Sequence, residues 1–250
     1  IAGVAMALAA DVTRPQRRPL IMAMIGIGIG GSFLASMALS VPLALLLGLA
    51  GLFWLTVAFA LAGIALVLTV PRSPPRVVED LAAPQGSSLP VWILSLSVFL
   101  LHAVMTLLFV TLPPMLVDAF GLGLSAHWKL YVPTMFLSVL IMLPVLRRVG
   151  ASLSEHRLLP WAFIALAGAL GLLPLGAEWS VLGALITIYF LGFNLVEAGM
   201  PALLSRITGS QGRGRRIGLY STFQFLGAFC GGVVGGGEGE VQRGQLVNGL

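Results

Sequence analysis

Seven stretches of this chain run apolar and almost without charge: 20–39, 46–70, 89–117, 130–146, 158–175, 180–205 and 217–236. A helix rises about 1.5 Å per residue, so about 18–20 such residues cross a hydrocarbon core of about 30 Å. The two shortest runs reach that length marginally. Only 9% of the residues are charged and 58% are hydrophobic, where a soluble domain carries about 25% charge. That excludes a soluble fold. The runs are solid rather than alternating, which excludes a membrane β-barrel. The fold class is therefore all-α and integral to the membrane, with about seven full spans. An eighth apolar run, Ile1–Ala10, reads as the end of one more helix, and the chain reads as part of a longer protein.

The basic residues give the orientation. Counted in chain order with Ile1–Ala10 as the first run, Arg14, Arg17 and Arg18 follow the first run, and Arg72 and Arg76 follow the third, 46–70. Arg147, Arg148 and Arg157 follow the fifth, and Arg206, Arg213, Arg215 and Arg216 follow the seventh. The intervening connections hold Lys129 alone. Cytoplasmic loops are the ones enriched in Lys and Arg, so 11–19, 71–90, 147–157 and 206–216 are expected inside. The net charge of +5 is thus a topology signal and does not imply a nucleic-acid partner. Cys230 is the single cysteine and excludes a disulfide framework. The Pro- and Ser-rich 71–90 reads as a linker. Residues 237–250 are polar, lack a helical pattern and read as an atypical tail.

Ionisable residues inside such helices mark functional sites by default. Glu197 lies nine residues before Arg206, about 13 Å inside the cytoplasmic boundary by helix rise. Asn194 is three positions earlier on the same face. One reading makes this a proton-exchanging or substrate-contacting site. The other makes it a packing contact to a neighbouring helix. Pro201, four residues on, is expected to kink the helix or free a carbonyl. His102 shares a face with Ser95 and Thr106, and a polar stripe on an apolar helix faces a cavity or another helix. Histidine titrates near physiological pH, so His102 joins Glu197 and Asn194 as a coupling candidate. Gln224 and Tyr220, one turn apart, are candidates to line the same cavity. Pro113 and Pro114 are expected to break or bend the outer end of their helix, with Asp118 just beyond in a capping or gating position. Asp11 caps the inner end of the first run. Gly227, Gly231 and Gly235 recur every four residues, the spacing that lets two helices approach closely. Gly26 and Gly30 do the same, or hinge the helix. No metal cluster, phosphate loop or hydrolase triad is legible, so neither a cofactor nor an enzyme activity is expected.

Three segments resemble the major facilitator superfamily. "AADVTRPQRRPLIMAMIGIGIGGSF" resembles the fourth helix, basic loop and fifth helix of its drug-antiporter members. "FLLHAVMTLLFVTLPPMLVDAFGLGLSAHWKLYVPTMF" resembles the seventh and eighth helices of the YajR-type branch, and "FNLVEAGMPALLSR" with "GLYSTFQFLGAFCGGVVGG" its tenth and eleventh. The resemblance implies that 1–70 ends an N-terminal six-helix half and that 91–236 belongs to the C-terminal half, as helices seven to eleven. It implies a monomeric, proton-coupled exporter of small amphipathic or drug-like molecules, working by alternating access in a bacterial inner membrane. Its partners would be the substrate, protons and the lipid bilayer. It also implies that Asp11 matches an acid that helps close the cytoplasmic side. The chain departs from the pattern at Ser40, Val41 and Pro42, where the antiporter signature has Gly-Pro, and at Arg215 and Arg216, where relatives have small residues. Uptake of a sugar or metabolite by the same fold, and a non-transporting membrane protein, are the alternatives.

Overall fold

The structure, a computed structural model, describes residues 18–69, 89–152, 155–208 and 213–248. It contains α1 (Arg18–Leu68), α2 (Leu89–Phe120), α3 (Trp128–Ser152), α4 (Glu155–Leu172), α5 (Trp179–Ile207) and α6 (Arg213–Asn248). Short 3₁₀ turns occupy Leu124–Ala126 and Leu173–Leu175. Six stretches among the described residues are long and apolar enough to span a membrane, and the chain is an integral membrane protein. Asp11 and most of the expected linker lie outside the described residues.

The apolar runs from 89 onward coincide with α2–α6. The second and third runs fuse into α1, 51 residues with a single non-helical position at Gly48 (φ 63, ψ 179). Such a length, about 76 Å, exceeds one crossing. The two runs part between 39 and 46 in the sequence, yet Pro42, which lies there, is inside the helix. The chain leaves helical geometry at Gly48, where a glycine can adopt a positive φ. Leu45 and Leu68 are 83% and 80% exposed, as suits a helix surrounded by lipid.

α2 ends at a left-handed glycine: Gly121 has φ 62 and its N–H bonds the Val117 carbonyl at 3.0 Å, which caps the helix. His127 closes the following turn by a ring-nitrogen hydrogen bond to the Leu122 carbonyl at 3.0 Å. Pro113 and Pro114 do not break α2, which stays helical to Phe120. α5 likewise continues through Pro201 to Ile207. In both cases the surrounding turns hold the helix despite the missing N–H.

The most extensive contact in the fold is α2 against α6. They run parallel, since Gly227, Gly231 and Gly235 meet Phe99, Ala103 and Val110 in that order. A Cβ at Gly227 would fall on the Phe99 carbonyl oxygen, and one at Gly231 on that of Ala103. A Cβ at Gly235 would sit 3.0 Å from Val110 Cβ. The four-residue spacing is thus a packing seam. Gly30, by contrast, has nothing within 4 Å, so the packing expected there is not found. The surroundings of Gly26 lie outside the described residues. α6 continues as helix to Asn248, although 237–250 carries no helical pattern. Glu, Gln and Arg in that segment are adequate helix formers, and no proline interrupts it.

α5 forms the core and packs on α1, α2, α3, α4 and α6. Leu182, Ile186, Val196, Met200 and Leu204 on it are at most 1% exposed. Two of its glycines, not singled out from the sequence, admit α4: a Cβ at Gly192 would lie 2.7 Å from the Ala162 carbonyl oxygen and one at Gly199 2.9 Å from Leu159 Cδ2.

Gly231→Ala is expected to lower stability in detergent by about 1–3 kcal/mol through overpacking. Gly236→Ala, which meets nothing within 4 Å, should leave stability unchanged or raise it by up to about 1 kcal/mol. Thermal unfolding of the two variants side by side checks this. Equal effects would contradict the seam.

Candidate functional site

The glycine seam carries two polar side chains into reach of a third. His102 is one residue before Ala103 on α2, and Gln224 is three before Gly227 on α6, so both sit at the closest approach of the helices. α5 brings Glu197 to the same place. By helix rise, His102 lies about 20 Å from the start of α2, Glu197 about 15 Å from the end of α5 and Gln224 about 16 Å from the start of α6. Those depths place all three near the middle of their spans.

The Gln224 amide nitrogen donates to His102 Nε2 at 2.9 Å and to Glu197 Oε1 at 3.1 Å. His102 Nδ1 is 3.1 Å from the Val98 carbonyl oxygen. A carbonyl only accepts, so Nδ1 carries the hydrogen and Nε2 of the neutral ring is the acceptor for Gln224. His102 Nε2 and Glu197 Oε2 are 3.8 Å apart. Oε2 itself is buried and has no hydrogen-bond partner in the protein. The Glu197 side chain as a whole is 25% exposed and that of His102 10%. Among the described residues no Lys or Arg pairs with this carboxylate.

The polar stripe on α2 turns toward α6. Ser95 is fully buried with its hydroxyl unpartnered. Thr106 is half-buried, and its methyl group lies 3.6 Å from where a Cβ at Gly232 would be. Tyr220, one turn before Gln224, is buried with a hydroxyl lacking a partner. The buried Ser221 hydroxyl beside it is also unpartnered. Buried hydroxyls without protein partners are sites for ordered water.

Asn194 does not join this group. Its amide donates to Ser138 Oγ on α3 at 3.0 Å, and Ser138 Oγ in turn donates to the Met135 carbonyl at 2.7 Å. A separation of three residues puts Asn194 and Glu197 on adjacent rather than identical faces, and α3 and α6 lie on different sides of α5. Asp118 is exposed in the last turn of α2, and Pro113 and Pro201 are half-buried. None of the three touches the cluster through a hydrogen bond. The sequence reading missed an aromatic run. Phe193 lies 5.7 Å from the His102 ring and stacks on Tyr189 at 6.4 Å. The spacing Tyr189–Phe193–Glu197, four residues each, was the available signal.

The sequence profile of the Major Facilitator Superfamily matches residues 1–236, and the chain belongs to that family. It is 33% identical over 99% of its length to the inner membrane transport protein YajR of Escherichia coli (strain K12), of which it covers 56%. It is 26% identical over 92% of its length to an uncharacterized transporter of Buchnera aphidicola subsp. Acyrthosiphon pisum, of which it covers 62%. A second uncharacterized transporter, from Buchnera aphidicola subsp. Schizaphis graminum, is 28% identical over 94% of the chain, which covers 63% of it. The chain thus spans somewhat under two thirds of the curated relatives it matches.

The Asn194–Ser138 hydrogen bond ties α5 to α3. Asn194→Ala and Ser138→Ala should each lower thermal stability by about 1 kcal/mol. The double variant should lose little more than either single one, because both remove the same bond. Additive losses would show that the two side chains act separately.

Proposed function

We propose that this member of the major facilitator superfamily is part of a proton-coupled secondary transporter, working by alternating access and exporting small amphipathic or drug-like molecules. The observation that carries the reading is the convergence of Glu197, Gln224 and His102 from three helices at mid-span depth. A carboxylate there is expensive unless it has a use, and here it is a quarter exposed with one oxygen unpartnered. Histidine beside it supplies a second group able to hold a proton at physiological pH. An acid with no paired Lys or Arg among the described residues favours neutral or cationic substrates over anionic ones. Tyr220, Tyr189 and Phe193 would give such a molecule apolar and aromatic surface.

Alternating access needs two halves that rock about a shared site. In this reading 91–236 belongs to the C-terminal half, 1–70 to the N-terminal half, and 71–90 links them. The loops rich in arginine face the cytoplasm of a bacterial cell, as the positive-inside bias requires. The printed name of the Escherichia coli relative, an inner membrane transport protein, supports the membrane and the activity class. Asp11 and Asp118 would stand at opposite ends of the path, as gating candidates. Uptake of a metabolite by the same fold is the competing reading, and the direction of flux separates the two.

In the full-length protein, Glu197→Gln is expected to abolish the part of lipophilic-cation efflux that depends on the proton gradient, with the amount of protein in the membrane unchanged. Efflux in everted vesicles with and without an uncoupler measures this. Unchanged efflux with an altered melting temperature would assign Glu197 to packing alone.

A further inference from the structure

Glu197 Oε2 has no hydrogen-bond partner among the described residues, and neither do three buried hydroxyls on the two helices beside it. All three lie toward one end of the bundle. There α2 begins, α5 ends and α6 begins, and Arg206, Arg213, Arg215 and Arg216 mark that end. On α6, Ser221 and Tyr220 precede Gln224 by three and four residues, so they share its face one turn nearer the arginines. On α2, Ser95 precedes His102 by seven residues and shares its face. The glycine seam sets the register: Gly227 meets Phe99 and Gly231 meets Ala103. Ser95 therefore stands level with Phe223, between Ser221 and Gln224. Ser95, Tyr220 and Ser221 are 0%, 1% and 8% exposed. α5 adds an acceptor. In a helix the N–H of Pro201 would bond the carbonyl four residues earlier, which is that of Glu197, and proline has no N–H.

The opposite direction is filled by rings. Phe193 lies 5.7 Å from the His102 ring. Phe109 stacks on Tyr131 at 5.6 Å and lies 6.0 Å from Phe190, and Phe120 meets Trp179 edge-on at 5.6 Å. The Tyr131 and Tyr189 hydroxyls, also unpartnered, belong to rings of this layer. On the arginine-rich side, residues three or four apart are separated by about 4.5–6 Å along the axis. One water making two hydrogen bonds of about 2.8 Å spans such a gap. A buried water needs two to four polar partners, and these hydroxyls, the Glu197 carboxyl and its carbonyl can supply them.

We propose that Ser95, Tyr220, Ser221 and the Glu197 carbonyl hold a short file of ordered waters between α2, α5 and α6, which carries protons between Glu197 Oε2 and the arginine-rich end of the bundle. Each hydroxyl both donates and accepts. A proton passed from Glu197 to the first water is matched by one released from the last water to bulk solvent. The hydroxyls between them end as they began, and none has to hold a charge.

This inference rests on the proton-exchange reading of Glu197, and its test separates the two. The full-length protein in lipid nanodiscs is taken through a rapid pH jump while the protonated-carboxyl infrared band is followed. Glu197→Gln identifies the part of the band that belongs to Glu197. In Ser95→Ala, Ser221→Ala and Tyr220→Phe that part should change roughly tenfold more slowly than in the wild type, about the factor that one lost hydrogen bond contributes to a rate. Ser221→Thr, which keeps a hydroxyl, should retain the wild-type rate. Tyr131→Phe, which removes an unpartnered hydroxyl on the far side, should retain it too. Wild-type rates in all three slowed candidates, or equal slowing in Tyr131→Phe, would overturn the route and leave the proton site standing. Slowing in Ser221→Thr as large as in Ser221→Ala would assign the effect to packing and overturn it as well. A band with no contribution from Glu197 at any pH would remove the proton site, and the route with it.

Discussion

The near contact of the α2 and α6 backbones is the constraint on which the rest of this arrangement depends. With Gly227 and Gly231 against the carbonyls of Phe99 and Ala103, no side chain separates the helices along that seam. A glutamine has a reach of only a few ångströms. At the N-terminal end of the seam Gln224 meets His102 directly. Association of helices in lipid gains little from the hydrophobic effect and much from close packing and interhelical hydrogen bonds. Here the two are the same feature: the glycines set the distance and the amide uses it.

α5 distributes its contacts by helical rotation. Successive residues are turned by about 100°, so Gly192, Phe193 and Asn194 face three different neighbours. Gly192 admits the backbone of α4 at Ala162, Phe193 meets the His102 ring of α2, and Asn194 bonds Ser138 of α3. One turn after Phe193 comes Glu197, on the face that α2 and α6 share. The acid is therefore held by a helix that is itself fixed on every other side. A carboxylate on so constrained a helix has little freedom to swing to a new partner.

Much of this was legible in the sequence. Run length and the scarcity of charge give a helical membrane protein, and the runs from 89 onward mark the helices to within a few residues except at the ends of α3 and α6, which extend to Ser152 and Asn248. The four-residue glycine spacing gives the seam, and Glu197 and His102 announce themselves as ionisable residues in apolar helices. What sequence could not give was the partnership. His102, Glu197 and Gln224 are 27 to 122 positions apart, and only the packing of three helices shows which faces meet. The same limit explains Asn194. Its three-residue spacing from Glu197 suggests a shared role, yet α3 lies on one side of α5 and α6 on another. Pro113 and Pro114 were expected to break or bend their helix and Pro201 to kink its own or free a carbonyl, because proline removes a backbone hydrogen bond. The neighbouring turns nonetheless hold each helix together, and the one true break falls at Gly48, which alone there can adopt a φ of 63.

The proposed transport activity rests on Glu197 exchanging a proton in the middle of the membrane. A hydrophobic carbodiimide tests it most directly, because it enters apolar sites and reacts with carboxyl groups in their protonated form. The chain has nine Asp and Glu residues, and mass spectrometry of the digested protein resolves which of them carry the adduct at each pH. An adduct is expected at Glu197 whose yield falls as the pH is raised, and whose formation slows when a transported substrate is added to the full-length protein. Labelling of other acids with none at Glu197 at any pH, or a Glu197 yield that does not change with pH, would contradict it.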